Sequence, residues 1–191
     1  MTDNIPPLNA SLSLTAEFSA EDEKFMHRAI ELAMIAESHN EIPVGAVIVC
    51  DGKIIGEGFN QSIMNNDPSA HAEMMAVRDA GKNIANYRLL DCTLYVTLEP
   101  CCMCAGLLVH SRIKRLIFAS EDFKTGAAGS AFALVNHEKH NHQIAVKSGL
   151  LATECSAMLS AFFKRRRAEK KAEKKAEKQA KKSAANVIEK T

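Results

Sequence analysis

The chain lacks any long apolar run. Its 191 residues contain no stretch of the roughly twenty apolar residues that a membrane-spanning helix requires. The first twenty residues have no basic segment followed by an apolar one. They carry Pro6, Pro7 and acidic side chains instead of an Arg-rich pattern, so neither a secretory signal nor a transit peptide is expected. A disulfide framework is missing as well. Cys50, Cys92, Cys101, Cys102, Cys104 and Cys155 sit in or beside apolar runs or in one short cluster, which predicts free thiols in a reducing compartment, the cytoplasm by default.

The formal net charge of +1 conceals a segregation of charge. From Lys164 to Lys182 there are eleven Lys or Arg against three Glu, so the rest of the chain carries a surplus of seven acidic residues. Within that tract Ala-Glu-Lys-Lys repeats from Ala168, from Ala172 and, imperfectly, from Ala176, with no apolar face to bury. It cannot be core. The period of four stacks Glu169, Glu173 and Glu177 at i, i+4, and likewise Lys170, Lys174 and Lys178, which predicts a fraying helix. Such a helix is either a solvated extension or an electrostatic attractor of nucleic acid. The expected division is a flexible extension over 1–19, one domain over 20–167 and a Lys/Glu/Ala-rich tail over 168–191.

Between the tails, helix and strand patterns alternate. Ser19 and Asp22 have the spacing of a capping box, and Phe25, Ala29, Leu32, Ala33 and Ala36 then recur at helical spacing, which predicts a helix to about His39. Val44 to Cys50 and Lys53 to Asn60 predict two strands around an Asp51-Gly52 turn. A helix to about Gly81 should begin at Asp67-Pro68-Ser69, and strands are expected at Thr93 to Thr97, Arg115 to Ala119 and Gln143 to Val146. Leu151, Cys155, Met158, Leu159, Phe162 and Phe163 form the stripe of a last helix and mark both Phe side chains as mostly core. This order predicts an α/β fold with a mixed sheet covered by helices on both faces.

Two strings carry the chemistry. His71-Ala72-Glu73 and Pro100-Cys101-Cys102-Met103-Cys104 offer one imidazole, two thiolates and a carboxylate, a set suited to Zn²⁺. With His71, Cys101 and Cys104 as ligands the count is three, as in catalytic sites that leave a position for water, and Glu73 is free to move protons. Pro100 suits a first helical position, which would put Cys101 and Cys104 on one face in the first turns, where the helix dipole favours thiolates. Cys102 points elsewhere and reads as a small buried hydrophobe. A structural zinc or a redox-active Cys pair would use the same residue types. His137, His140 and His142 make a polar cluster, read as a solvated loop.

Together the strings resemble the signature of the zinc-dependent deaminases. The likeness extends to Glu41-Ile42-Pro43-Val44-Gly45-Ala46-Val47, Gly56-Glu57-Gly58-Phe59-Asn60, Asp67-Pro68-Ser69-Ala70, Thr97-Leu98-Glu99, Val109-His110-Ser111-Arg112-Ile113, Lys124-Thr125-Gly126-Ala127-Ala128-Gly129-Ser130, Glu154-Cys155 and Phe162-Phe163. Over about residues 41–167 the chain resembles the bacterial tRNA-specific adenosine deaminases. The resemblance implies a three-layer α/β/α cytidine-deaminase-like fold with a central mixed five-stranded sheet, zinc as cofactor and a homodimer. It also implies adenosine-to-inosine deamination at the wobble position of a tRNA anticodon loop, with Glu73 as catalytic residue and Asn60, Ala72 and Asp122 at the substrate. The zinc motif alone resembles that of free nucleobase and nucleoside deaminases equally, and a silent zinc-containing RNA-binding module is the reading from another class.

Overall fold

The computed structural model describes residues 18–188, with side chains through residue 179. The expected extension over 1–19 therefore lies almost wholly outside the described residues. Helix α1 spans Ala20–Ser38 and opens with the predicted reciprocal cap, in which Asp22 N–H donates to Ser19 Oγ and Ser19 N–H to Asp22 Oδ2. Strands β1 (Gly45–Cys50) and β2 (Lys53–Phe59) form the predicted hairpin. Its turn holds Asp51 and Gly52 at φ of 47° and 71°, the left-handed pair that a two-residue hairpin loop requires.

A four-residue helix α2 (Ser62–Asn65), which no sequence pattern announced, leads into α3 (Ala72–Asn83). Then come β3 (Thr93–Leu98), α4 (Cys102–Ser111), β4 (Arg115–Ser120), β5 (Ala145–Ser148) and α5 (Ala152–Ile188). The sheet order is β2-β1-β3-β4-β5, with β1 antiparallel to both neighbours and β3, β4 and β5 mutually parallel. It is the mixed five-stranded sheet expected.

Alternation along the central strands sorts the core into two layers. Ala46, Ile48, Leu94, Val96, Leu116 and Phe118 face α3 and α4. Val47, Val49, Tyr95, Ile117 and Ala119 face α1 and Cys155 of α5. The second layer encloses a charge, because Asp22 accepts from Arg115 Nη1 and Nη2 at 2.8 and 3.0 Å and from the Tyr95 hydroxyl at 2.8 Å. In the first layer β2 and α3 approach so closely that a Cβ on Gly58 would overlap the Ala72 carbonyl oxygen and the Ala76 nitrogen.

Helix α5 runs unbroken through residue 167, where a boundary was expected between domain and tail. Arg165 fixes its course, reaching Glu37 at 3.2 Å and Asn40 at 3.2 Å at the end of α1. No described helix is long and apolar enough to cross a membrane.

Candidate active site

Both halves of the site are helix entrances, each beginning later than the sequence suggested. His71 caps α3 in extended backbone (φ −75°, ψ 155°). Asp67-Pro68-Ser69 is a separate turn, in which Ser69 N–H and Oγ–H donate to Asp67 Oδ1 at 2.8 and 2.7 Å. The predicted helix start there is corrected, since Asp67 spends its cap on its own turn. The amide that opens α3, Ala72 N–H, is met from outside by Asn60 Oδ1 at 2.9 Å, while Asn60 Nδ2 donates to the Ile42 carbonyl at 3.0 Å. Asn60 thus ties the end of β2 to the tip of α3.

On α4, Cys101 is the cap and Pro100 precedes it, so Pro100 is not the first helical residue. Cys104 is the third helical residue and fully buried. Cys102, the first, is exposed, which overturns the buried hydrophobe expected there. The cap and third positions face inward while the first faces solvent.

His71 Nδ1, Cys101 Sγ and Cys104 Sγ form a triangle with all three edges 3.7 Å. A tetrahedral Zn²⁺ with bonds of about 2.3 Å to sulfur and 2.0 Å to nitrogen separates its ligand atoms by about 3.5–3.8 Å, so the residues fit the ion. The three donors also share protons with one another. A hydrogen bond from Cys104, with help from His71, pulls the Cys101 thiol down to about 3. The shared proton and burial push Cys104 up, and the bond to Cys101 raises His71.

Glu73, in the first turn of α3, is 4% exposed. Burial raises its carboxyl above the usual carboxylate range, and among the described residues no Lys or Arg pairs with it. It opens on a cavity of about 490 Å³ whose walls include Asn60, His71, Glu73, Cys101, Asp122 and Phe163. This volume is within the range of small-molecule sites. Asp122 is at the rim, but its carboxylate serves its own loop, accepting from Lys124 N–H, Thr125 N–H and the Thr125 hydroxyl at 2.9, 3.2 and 2.6 Å. Ala72 is wholly buried, its amide engaged by Asn60. None of His137, His140 and His142 lines the cavity, and His142 Nε2 lies 2.7 Å from the Ile113 carbonyl.

Two buried carboxylates organise the loops around the site without themselves being metal ligands, and of the two only Glu99 lines the cavity. Glu41 accepts from Ile63 N–H and Met64 N–H at 2.7 and 2.8 Å, holding the entrance of α2. Glu99 accepts from Ala128 N–H and Ser130 N–H at 2.9 and 3.1 Å and from Asp122 N–H at 3.0 Å, and so folds the 121–130 loop around itself. Gly126 lies so near that a Cβ there would overlap the Glu99 carboxylate. Phe123, 77% exposed at the mouth, was also missed. Its signal was available, since Phe123-Lys124 sets an aromatic side chain beside a basic one, a combination suited to single-stranded RNA.

Residues 19–120 match the family model for the cytidine and deoxycytidylate deaminase zinc-binding region. Sheet order and ligand triangle together define a zinc-dependent deaminase. The tRNA-specific adenosine deaminase of Haemophilus influenzae is 61% identical over 150 residues, covering 78% of this chain and 87% of the relative. A solved structure from a study of A-to-I editing by tRNA:A34 deaminases superposes with a TM-score of 0.69 at 38% identity, covering 71% of this chain and 98% of the other. A guanine deaminase structure from Bacillus subtilis gives a TM-score of 0.52 at 38% identity, covering 72% and 91%. The chain belongs to the tRNA-specific adenosine deaminase family.

Proposed function

We propose that the protein hydrolyses adenosine to inosine at the wobble position of a tRNA anticodon. The observation that carries the chemistry is the 3.7 Å triangle of His71, Cys101 and Cys104 with Glu73 buried beside it. His71, Cys101 and Cys104 would hold the zinc, which would supply a water acidified toward neutral pH. Glu73 accepts the proton of that water as the oxygen adds to carbon 6 of the purine. It passes that proton to the ring nitrogen, then takes the second proton from the added hydroxyl and gives it to the amine, which leaves as ammonia while the carbon–oxygen bond becomes the carbonyl of inosine. Its carboxyl, raised by burial and without a Lys or Arg partner among the described residues, suits a group that must both take and return a proton. Asn60 aligns the Ala72 edge of the pocket with the nucleoside, and Asp122 keeps the neighbouring loop in position for the flanking nucleotide.

The rim favours RNA over a free base. Phe123 is 77% and Phe163 41% exposed at the cavity mouth, where they offer stacking surfaces for unpaired bases. An anticodon loop is already unpaired, so turning one base into the pocket costs less than extracting it from a duplex. The exposed apolar side chains of Ile63, Met64 and Met103 support a homodimer. Six free cysteines among the described residues support a cytoplasmic setting.

Incubating purified protein with a wobble-adenosine stem-loop RNA, digesting it and quantifying inosine tests the proposal. Efficient turnover of free adenosine, guanine or cytosine, with none on the RNA, would move the protein to the nucleobase or nucleoside deaminases. His71→Ala, Cys101→Ala or Cys104→Ala should lose zinc and activity together.

A further inference from the structure

The cationic tail is not a diffuse charge cloud. At about 100° per residue, Arg167, Lys170, Lys171, Lys174, Lys175 and Lys178 all fall within one sector about 140° wide on α5. They line a single shallow groove and are exposed. No ion pair engages them among the described residues. The two arginines outside that sector are already used, Arg165 on Glu37 and Glu169 and Arg166 on Glu169. Because Arg165 ties α5 to α1 from the other side of the helix, the cationic sector is turned outward.

The sector also continues the wall of the active site. Leu159 and Phe163 line the cavity, and Arg167, Lys170, Lys174 and Lys178 follow them at steps of four, three, four and four residues. That row extends about 28 Å along one side of a single helix. For a nucleic acid whose unpaired base occupies the cavity and whose chain passes Phe163, the next contacts α5 offers are this line of cations.

We infer that this face of α5 binds the phosphate backbone of the paired stem adjoining the loop that enters the site, and so works as a rail for the RNA. The inference rests on the RNA reading proposed above. Phosphate spacing along a stem presents charge continuously, which a row of mobile lysines can follow without sequence preference. The opposite side of the tail carries Ala168, Ala172 and Ala176 with Glu173 and Glu177, none of them a large apolar group that could enter a bilayer, so an anionic membrane fits less well.

The test compares the full chain with its Lys170→Gln/Lys174→Gln/Lys178→Gln variant, in which Gln preserves helix propensity and circular dichroism verifies it. Affinity for a labelled tRNA bearing wobble adenosine is measured between 50 and 200 mM salt, together with inosine formation at saturating RNA. The expected result is a log–log salt slope shallower by roughly 2–3, at about 0.7–0.9 per lost phosphate contact, with kcat unchanged. A short unpaired loop oligonucleotide should show no difference between the proteins. Equal slopes on tRNA would overturn the inference while leaving inosine formation, and hence the deaminase reading, intact. Equal slopes accompanied by loss of binding to phosphatidylserine vesicles would reassign the face to a membrane. Wild-type protein that binds tRNA with the steep slope, lost in the variant, yet forms no inosine would sustain the rail and defeat the deaminase reading.

Discussion

Asp22 and Glu73 are equally buried, each 4% exposed, on opposite faces of the same sheet, and their surroundings send them in opposite directions. Burial pushes Asp22 up, but the Arg115 fork, the Ser19 amide and the Tyr95 hydroxyl outweigh it and hold the carboxyl well below its ordinary value. Glu73 has no Lys or Arg partner among the described residues, and burial outweighs the pull of its own backbone amide and of His71, holding it above the usual range. A buried carboxylate is thus structural or reactive according to its partners, and this sheet carries one of each.

The largest expected effect comes from removing the reactive one. Glu73→Gln should lower turnover by at least about 10²–10⁴-fold while leaving one zinc per chain and an unchanged melting temperature. Metal analysis beside an inosine assay decides it, and a zinc-free or fully active variant would make Glu73 something other than the proton carrier. The mirror experiment is Asp22→Asn. Stranding Arg115 should cost about 3–5 kcal/mol in urea denaturation, with kcat of the folded protein retained. Since Asp22 is depressed in the folded state, its contribution is present above the ordinary value of 3.8 and is lost as pH falls through the folded value. Asp22→Asn should therefore flatten the acid limb of the stability curve.

Glu99 is a third case, buried but committed to backbone amides. Gly126→Ala would drive a methyl into that carboxylate and displace the 121–130 loop, and a shift of about 1 Å at the rim should reduce kcat/KM by up to about 10²-fold with zinc retained. Steady-state kinetics with metal analysis would separate this from loss of the ion. The smallest effect is reserved for the tail, whose described residues beyond Arg167 join neither layer of the core. Truncation there should change stability by less than about 0.5 kcal/mol, and a large fall in melting temperature would mean that the tail belongs to the domain.

The readable parts of this molecule are those specified by neighbours in sequence. Asp51-Gly52 dictated its turn and Ser19 and Asp22 their reciprocal cap, while the metal triangle, whose halves lie 30 and 33 residues apart, was announced by the metal-binding residue types of two short strings. What stayed hidden depends on partners far along the chain. The bonds of Glu41 span 22 and 23 residues and those of Glu99 span 23 to 31, so no local pattern marks either as the organiser of a loop. Helix entrances were placed too early because Asp67 and Pro100 are helix-starting residue types, yet two of the three positions that close the metal triangle, His71 and Cys101, are the caps themselves. Cys102 was misread for the same reason, since moving the entrance by one residue changes which side chain faces water.

The contact at Gly58 sets a mechanical tolerance for the whole site. With backbone against backbone there, no flexible side chain lies between β2 and the first turn of α3, and His71 and Glu73 sit one residue to either side of the Ala72 that Gly58 touches. A dislocation at that joint would reach the ligand and the proton carrier undamped. The joint therefore acts as a gauge block, transferring the rigidity of the sheet to a helix tip that must be correct to a fraction of an ångström.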